Sequence, residues 1–253
     1  MRLGTVTYNL AKDWDVDTII AMCHKTGFEG VELRTTHAHG VEPSLTSQER
    51  AEVKAKFAES GVVLWGLGSV CEYHSPDPAV LRENIQSTAE FVKLARDVGA
   101  VGVKVRPNGF AKDAGISEEQ TLEQIGRALR ECGQQAEAYG IELWLEVHGP
   151  GTSHPPHVKT IMDVADHPLV GVTWNCNQQD IVDLSIEKYY RPLAAKVRCL
   201  HIHDLYEDYP YRELFRILKE TGFDGFCLTE LGESAEPERF MKTYNLLFRE
   251  WTK

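Results

Sequence analysis

The chain has 253 residues, 42% of them hydrophobic and 26% charged, a balance that suits a globular fold with a sizeable core. Its formal net charge of −11 and the lack of any Lys/Arg run exclude a broad nucleic-acid-binding face, because phosphate contacts need clustered cations. No stretch approaches the roughly 18 to 20 apolar residues of a membrane span, and the start "MRLGTVTYNLAKDWD" lacks the apolar core and cleavage site of a signal peptide, so a cytoplasmic protein with no membrane partner is expected.

In chain order, an apolar β-rich run at 3–9 is followed by a helical pattern at 15–26. The pairing then repeats at 30–36 and 46–60, 62–69 and 78–98, 101–106 and 117–139, and 141–148 and 157–166. It continues at 170–176 and 183–195, 197–203 and 209–221, and 225–231 and 236–251. At five junctions a helix pattern runs into a glycine just before an apolar run: "CHKTGFEGVELR", "FAESGVVLWGL", "ARDVGAVGVKVR", "AEAYGIELWLEV" and "LKETGFDGFCLTEL". Glycine stops helices by taking the left-handed conformation without a Cβ clash. "KTGFEGVEL" and "ETGFDGFCLTEL" are near copies at opposite ends of the chain and suggest a repeated βα unit.

Strict strand–helix alternation calls for a parallel sheet, and eight pairs in about 250 residues fit an α/β fold of the (β/α)8 TIM-barrel kind, as one domain over 1–253. An open doubly wound sheet lacks support, since no G-x-G-x-x-G follows the first strand. The six cysteines lie far apart with no C-x-x-C pair, so they read as reduced, mostly buried thiols rather than a zinc knuckle or a disulfide framework.

In such barrels the active site lies at the carboxyl ends of the strands. Four consecutive strands finish with groups able to hold a metal: Glu146 in "LWLEVHG", Asn175 in "VTWNCN", His201 in "LHIHD" and Glu230 in "CLTEL". Two carboxylates, an imidazole and an amide oxygen suit Mn, Mg, Co or Zn as the divalent cofactor better than a thiolate metal. Cys199 shares the face of His201 one layer deeper, whereas Cys176 and Cys227 have the parity that faces the helices.

These motifs in this order resemble the xylose isomerase-like superfamily of sugar phosphate isomerases and epimerases, also called AP endonuclease family 2. The likeness spans nearly the whole chain: "GFEGVEL", "SPDPAVLRENIQSTAEFVKLARDVGAVGVKV", "LEVHG" against L-E-N-H-G, "HPLVGVTWN" against P-x-V-G-x-x-x-D, "HIHD" against H-x-K-D, and "LTEL" against the closing glutamate. The resemblance implies a divalent metal held by Glu146, the Asn175 position, His201 and Glu230, with the two glutamates also exchanging protons as the catalytic pair and His148 contacting substrate. Two positions depart from the pattern. Asn175 stands where an aspartate ligand is usual and offers an oxygen without charge, so metal occupancy is expected to be weaker. His203 replaces the usual lysine, exchanging a fixed positive charge for a group that titrates near neutrality.

Other polar residues are expected around a substrate. His203 is read as a substrate contact or a hydrogen-bonding partner of Asp204 or a neighbour. Lys104 and Arg106 share a face on the fourth strand; if inward, they bind a carboxylate, phosphate or enolate oxygen, and otherwise they pair with Glu146 and Glu32. Glu32 is a further substrate-binding candidate, with Arg34 alternating inward beside it, while His37 and His39 in "TTHAHG" read as exposed loop residues. Trp14, Trp65, Trp144 and Trp174 offer sugar-stacking faces or, more commonly in strands, core.

The chemistry implied is removal of a proton beside a sugar carbonyl, giving an enediolate that is reprotonated elsewhere: an epimerase or isomerase of a sugar, sugar phosphate or keto-sugar. The same site would serve a lyase or dehydratase of a keto-sugar or keto-polyol, and a weakened metal site would leave a non-catalytic sugar-binding barrel. An endonuclease IV-type nuclease needs additional His and Asp ligands and a basic face, which this chain lacks. A small-molecule sugar is the expected partner, and a homo-oligomer is compatible with the sequence.

Overall fold

The computed structural model describes residues 1–253, in which eight parallel strands in sequential order close a barrel. The first half comprises β1 (Arg2–Asn9), α1 (Val16–Thr26), β2 (Gly30–Arg34), α2 (Ser47–Ser60), β3 (Val63–Glu72), α3 (Pro78–Val98), β4 (Gly102–Arg106) and α4 (Glu118–Ala136). The second comprises β5 (Glu142–Glu146), α5 (Pro155–Ala165), β6 (Val170–Asn175), α6 (Glu187–Tyr190), β7 (Val197–Ile202), α7 (Tyr211–Glu220), β8 (Phe226–Leu231) and α8 (Pro237–Trp251). The expected (β/α)8 barrel is thus present, and no helix is long and apolar enough to cross a membrane.

Local chemistry explains the boundaries. Thr46 and Glu49 form a reciprocal capping box that starts α2, and Ser117 with Gln120 does the same for α4. The junction glycines end the helices as their positions require: Gly27 has φ 74° and Gly222 has φ 68°, values that a Cβ would strain.

The pattern expected to be a helix at 183–195 is largely something else. A tight turn with Asp183 at φ 51° and Leu184 at φ 66° precedes α6, which lasts only four residues and tightens into a 3-10 segment at Arg191–Lys196. Pro192 cannot supply an N–H to an α-helical ladder, which favours the short form here.

Most of the core lies between the barrel and its helices, in one cluster of 61 buried residues. The barrel interior is separately plugged at its amino-terminal end. There Trp65 packs on Trp144 at 5.5 Å and on Phe226 at 5.1 Å between ring centroids, with Val6, Cys199 and Leu228 alongside. Trp174 has the opposite parity and packs among the helices. All six cysteines are buried and free. The plug leaves the carboxyl-terminal end of the barrel for polar groups.

Candidate active site

Residues at i and i+2 of a strand face the same side, so each interior strand stacks its inward residues in layers. On β5, Trp144 belongs to the plug and Glu146 stands one layer nearer the mouth; on β7, Cys199 and His201 have the same relation. Asn175 is in register with His201 across the β6–β7 pair. Glu230 comes from β8, and Glu32 and Lys104 from β2 and β4. Six strands therefore converge on one point.

At that point Glu146, His201 and Glu230 each offer a ligand atom, all within 4.8 Å of one another. Nδ1 of His201 lies 3.2 Å from Oε1 of Glu146 and 3.9 Å from Oε2 of Glu230. The other ring nitrogen, Nε2, faces Oε2 of Glu32 at 3.2 Å. Lys104 Nζ donates to Oε2 of Glu146 at 2.8 Å. In the neutral form of His201 that a cation needs, three carboxylates against one ammonium leave two negative charges, the charge that one divalent cation cancels; without an ion, a proton on the ring offsets one of them. The oxygen and nitrogen donor set fits such an ion.

The titrations follow from this crowding. Burial opposes a charged imidazole at His201, yet Glu32 and Glu146 together outweigh it and push the ring up to about 10. Burial likewise works against the Glu146 carboxylate, but the Lys104 ammonium and His201 hold it well below the usual range. Glu230 is partly buried, which works against its anion, but the nearby His203 and the charge of His201 lower it despite that. Burial pushes His148 down, so its ring is neutral.

Around the group opens a cavity of about 480 Å³ whose lining includes Lys104, Arg106, Glu146, His148, Asn175, His203 and Glu230. His148 pairs through Nδ1 with Oδ1 of Asn108 at 3.1 Å. The backbone at the end of β5 also anchors the next loop, since Asn177 donates to the carbonyl of Val147 at 2.8 Å. His203 Nε2 donates to Oδ1 of Asn175 at 3.0 Å and lies 3.6 Å from Glu230. The amide oxygen of Asn175, expected as a fourth ligand, is thus already engaged, and a cation would compete with His203 for it.

Two expectations are corrected. Glu32, expected to bind substrate, is 0% exposed and sits behind His201, screened from the cavity. Gly68 of β3 makes room for it: a Cβ there would stand 2.8 Å from Glu32 Oε1. His39, expected in solvent, is buried, with Nε2 on the carbonyl of Arg34 at 2.7 Å and Nδ1 accepting from the Val41 amide at 3.0 Å. It fastens the loop after β2.

Lining residues that the sequence reading did not single out are Tyr8, Asn177 and Glu207. Tyr8 carried a usable signal, since it shares the inward parity of Val6 on β1. Asn177 and Glu207 lie on loops beyond the strand ends, where no periodicity applies. The tryptophans, offered as stacking faces, line none of this cavity.

The model of the xylose isomerase-like TIM barrel family matches residues 20–247. A comparison with curated protein sequences returns no match. Among solved structures, D-psicose 3-epimerase with D-tagatose from Clostridium cellulolyticum H10 is 17% identical, with 100% of both chains covered and a TM-score of 0.83. The apo form of 3-keto-D-glucoside 4-epimerase from E. coli is 16% identical over 99% of each chain, with a TM-score of 0.81. An IOLI protein with a bound zinc atom is 17% identical over 100% of this chain and 98% of its own, with a TM-score of 0.81. At these identities the likeness is one of fold, whereas the family match spans most of the sequence. The chain belongs to the xylose isomerase-like TIM barrel family.

Proposed function

We propose that the protein is a divalent-metal-dependent isomerase or epimerase that moves a proton at the carbon beside the carbonyl of a sugar or sugar derivative. The observation that carries this reading is the meeting of Glu146, His201 and Glu230, from three strands, within 4.8 Å on the floor of a polar cavity. The epimerases of sugars that share the fold support it. Glu146, His201 and Glu230 would hold the cation, with Asn175 as the weak fourth candidate. When bound, the ion supplies Lewis acidity that makes a carbon beside a carbonyl easier to deprotonate.

The two glutamates are not equivalent as bases. Glu146 has one oxygen on Lys104 and the other facing His201, and both interactions favour its anion and weaken its basicity. Glu230 is the more accessible, its side chain 22% exposed against 4% for Glu146. Glu230 is therefore the group that first takes the proton, and Glu146 with its ammonium partner holds charge in place. His203 and the neutral ring of His148 line the cavity beside them and orient substrate hydroxyls.

Solvent deuterium entering a panel of keto-sugars, followed by mass spectrometry in the presence of Mn²⁺, tests the reading. Exchange is expected with wild type and lost in Glu230→Gln. Exchange that survives both Glu230→Gln and Glu146→Gln, or no exchange with any substrate class, would overturn it.

A further inference from the structure

The charges around the cavity are segregated. Arg34, Lys104 and Arg106 come from β2 and β4, whereas Glu207 and Glu230 come from the β7 and β8 side, and Glu146 of β5 stands between the two groups. Lys104 is committed to Glu146. The two arginines are not committed to comparable partners. Arg106 reaches Glu72 and the carbonyl of Val70 only at 3.4 Å each, Asn108 makes the shorter bond to the same Glu72 oxygen at 2.5 Å, and Nε of Arg106 is buried with no partner.

Arg34 meets no carboxylate. Its Nη1 donates to the carbonyl of Thr35 at 3.3 Å and faces His37 Nε2 at 3.4 Å, and the guanidinium lies over the Tyr8 ring at 5.2 Å. Burial, with the neighbouring charge of Arg34, pushes His37 down to about 4, so it adds a neutral prop rather than a second cation. A guanidinium has five N–H donors, and these contacts leave most of them free. In a chain of net charge −11, two underused guanidiniums lining one cavity form a local exception.

A neutral sugar is commonly gripped by an aromatic face. Here the only such ring is Tyr8, already covered by Arg34 and stacked on His37 at 6.3 Å. The walls thus lack a sugar-stacking platform and offer planar forks matched to carboxylate and phosphate oxygens.

We propose that Arg34 and Arg106 form an anion subsite, and that the substrate is a keto-sugar or hydroxy-keto acid carrying a carboxylate or phosphate, with its carbonyl end at Glu146, His201 and Glu230. The placement of the carbonyl rests on the proton-transfer reading above; the anion subsite does not depend on turnover.

The test is calorimetric titration of the metal-loaded protein with three polyols that have no keto group to react: glucitol, gluconate and glucitol 6-phosphate. At least one anion is expected to bind tenfold or more tightly than glucitol, and which one does so identifies the carboxylate or the phosphate. Arg34→Gln and Arg106→Gln should each weaken that anion by about tenfold, the order of one lost charge-assisted contact, and leave glucitol unchanged. Arg34→Lys, which keeps the charge, should retain the preference in part and guards against a misfolded variant. Equal binding of all three polyols, no binding of either anion, or a preference indifferent to both substitutions would overturn the subsite. Anion selectivity without deuterium exchange in any keto-substrate would instead sink the proton-transfer reading and leave the subsite standing.

Discussion

Oε2 of Glu32 lies 3.2 Å from Nε2 of His201, while the other ring nitrogen, Nδ1, faces Glu146 and Glu230. A carboxylate behind one nitrogen holds a proton there, so that an incoming cation displaces the proton on Nδ1 and meets that nitrogen's lone pair. Glu32 is therefore a positioning residue. Glu32→Gln, nearly equal in size, should weaken Mn²⁺ binding by about 10- to 100-fold with little change in fold, measured by competition against a fluorescent chelator. Unchanged affinity would remove Glu32 from this role.

The unequal settings of the two glutamates predict unequal variants. Glu230→Gln should cost at least about 100-fold in the exchange rate, the scale of general acid–base catalysis. Glu146→Gln should lower metal affinity as well and should also destabilise the apoprotein, because Lys104 is left buried without its anion. Thermal melts with and without metal separate the two effects.

Asn175→Asp should tighten metal binding by about tenfold or more through an added carboxylate. The same substitution should lower the melting temperature of the metal-free protein, since it places another anion beside Glu146. Opposite shifts in the loaded and stripped forms are the signature, and a fall in both would argue against a cation at this point.

Asp180 is fully buried after β6, where Oδ2 accepts from the Asn177 amide at 2.9 Å and from the Tyr209 hydroxyl at 3.3 Å while Oδ1 has no partner. Burial raises its carboxyl to about 8 from 3.8. The folded protein therefore keeps a proton that the unfolded chain gives up, so Asp180 costs increasing stability as pH rises from about 4 to about 8. Asp180→Asn should remove that slope and raise stability at pH 8 by roughly 2 to 5 kcal/mol. Urea unfolding at a series of pH values measures it; a slope identical to wild type would contradict the assignment.

The barrel was legible because helix period, strand period and stop glycines all pointed the same way, as at "KTGFEGVEL" and "ETGFDGFCLTEL". The period of two also placed Glu146, Asn175, His201 and Glu230 on inward faces. It could not say which layer a residue reaches, because strand stagger sets that, and so Glu32 was read as a substrate contact when it lies behind His201. The burial of His39 depends on a local turn with Thr36 at φ 69°, which has no periodic signal. The helical spacing at 183–195 was real, but Pro192 and the left-handed pair Asp183 and Leu184 overrode it.

The central claim is that Glu146, His201 and Glu230 bind one divalent cation between them. Calorimetric titration of chelator-stripped protein with Mn²⁺ tests it most directly, with Glu230→Gln and His201→Asn alongside. The account predicts one ion per chain for wild type and at least about tenfold weaker binding in each variant. Stripped protein that takes up no ion, or variants that bind as wild type does, would contradict it.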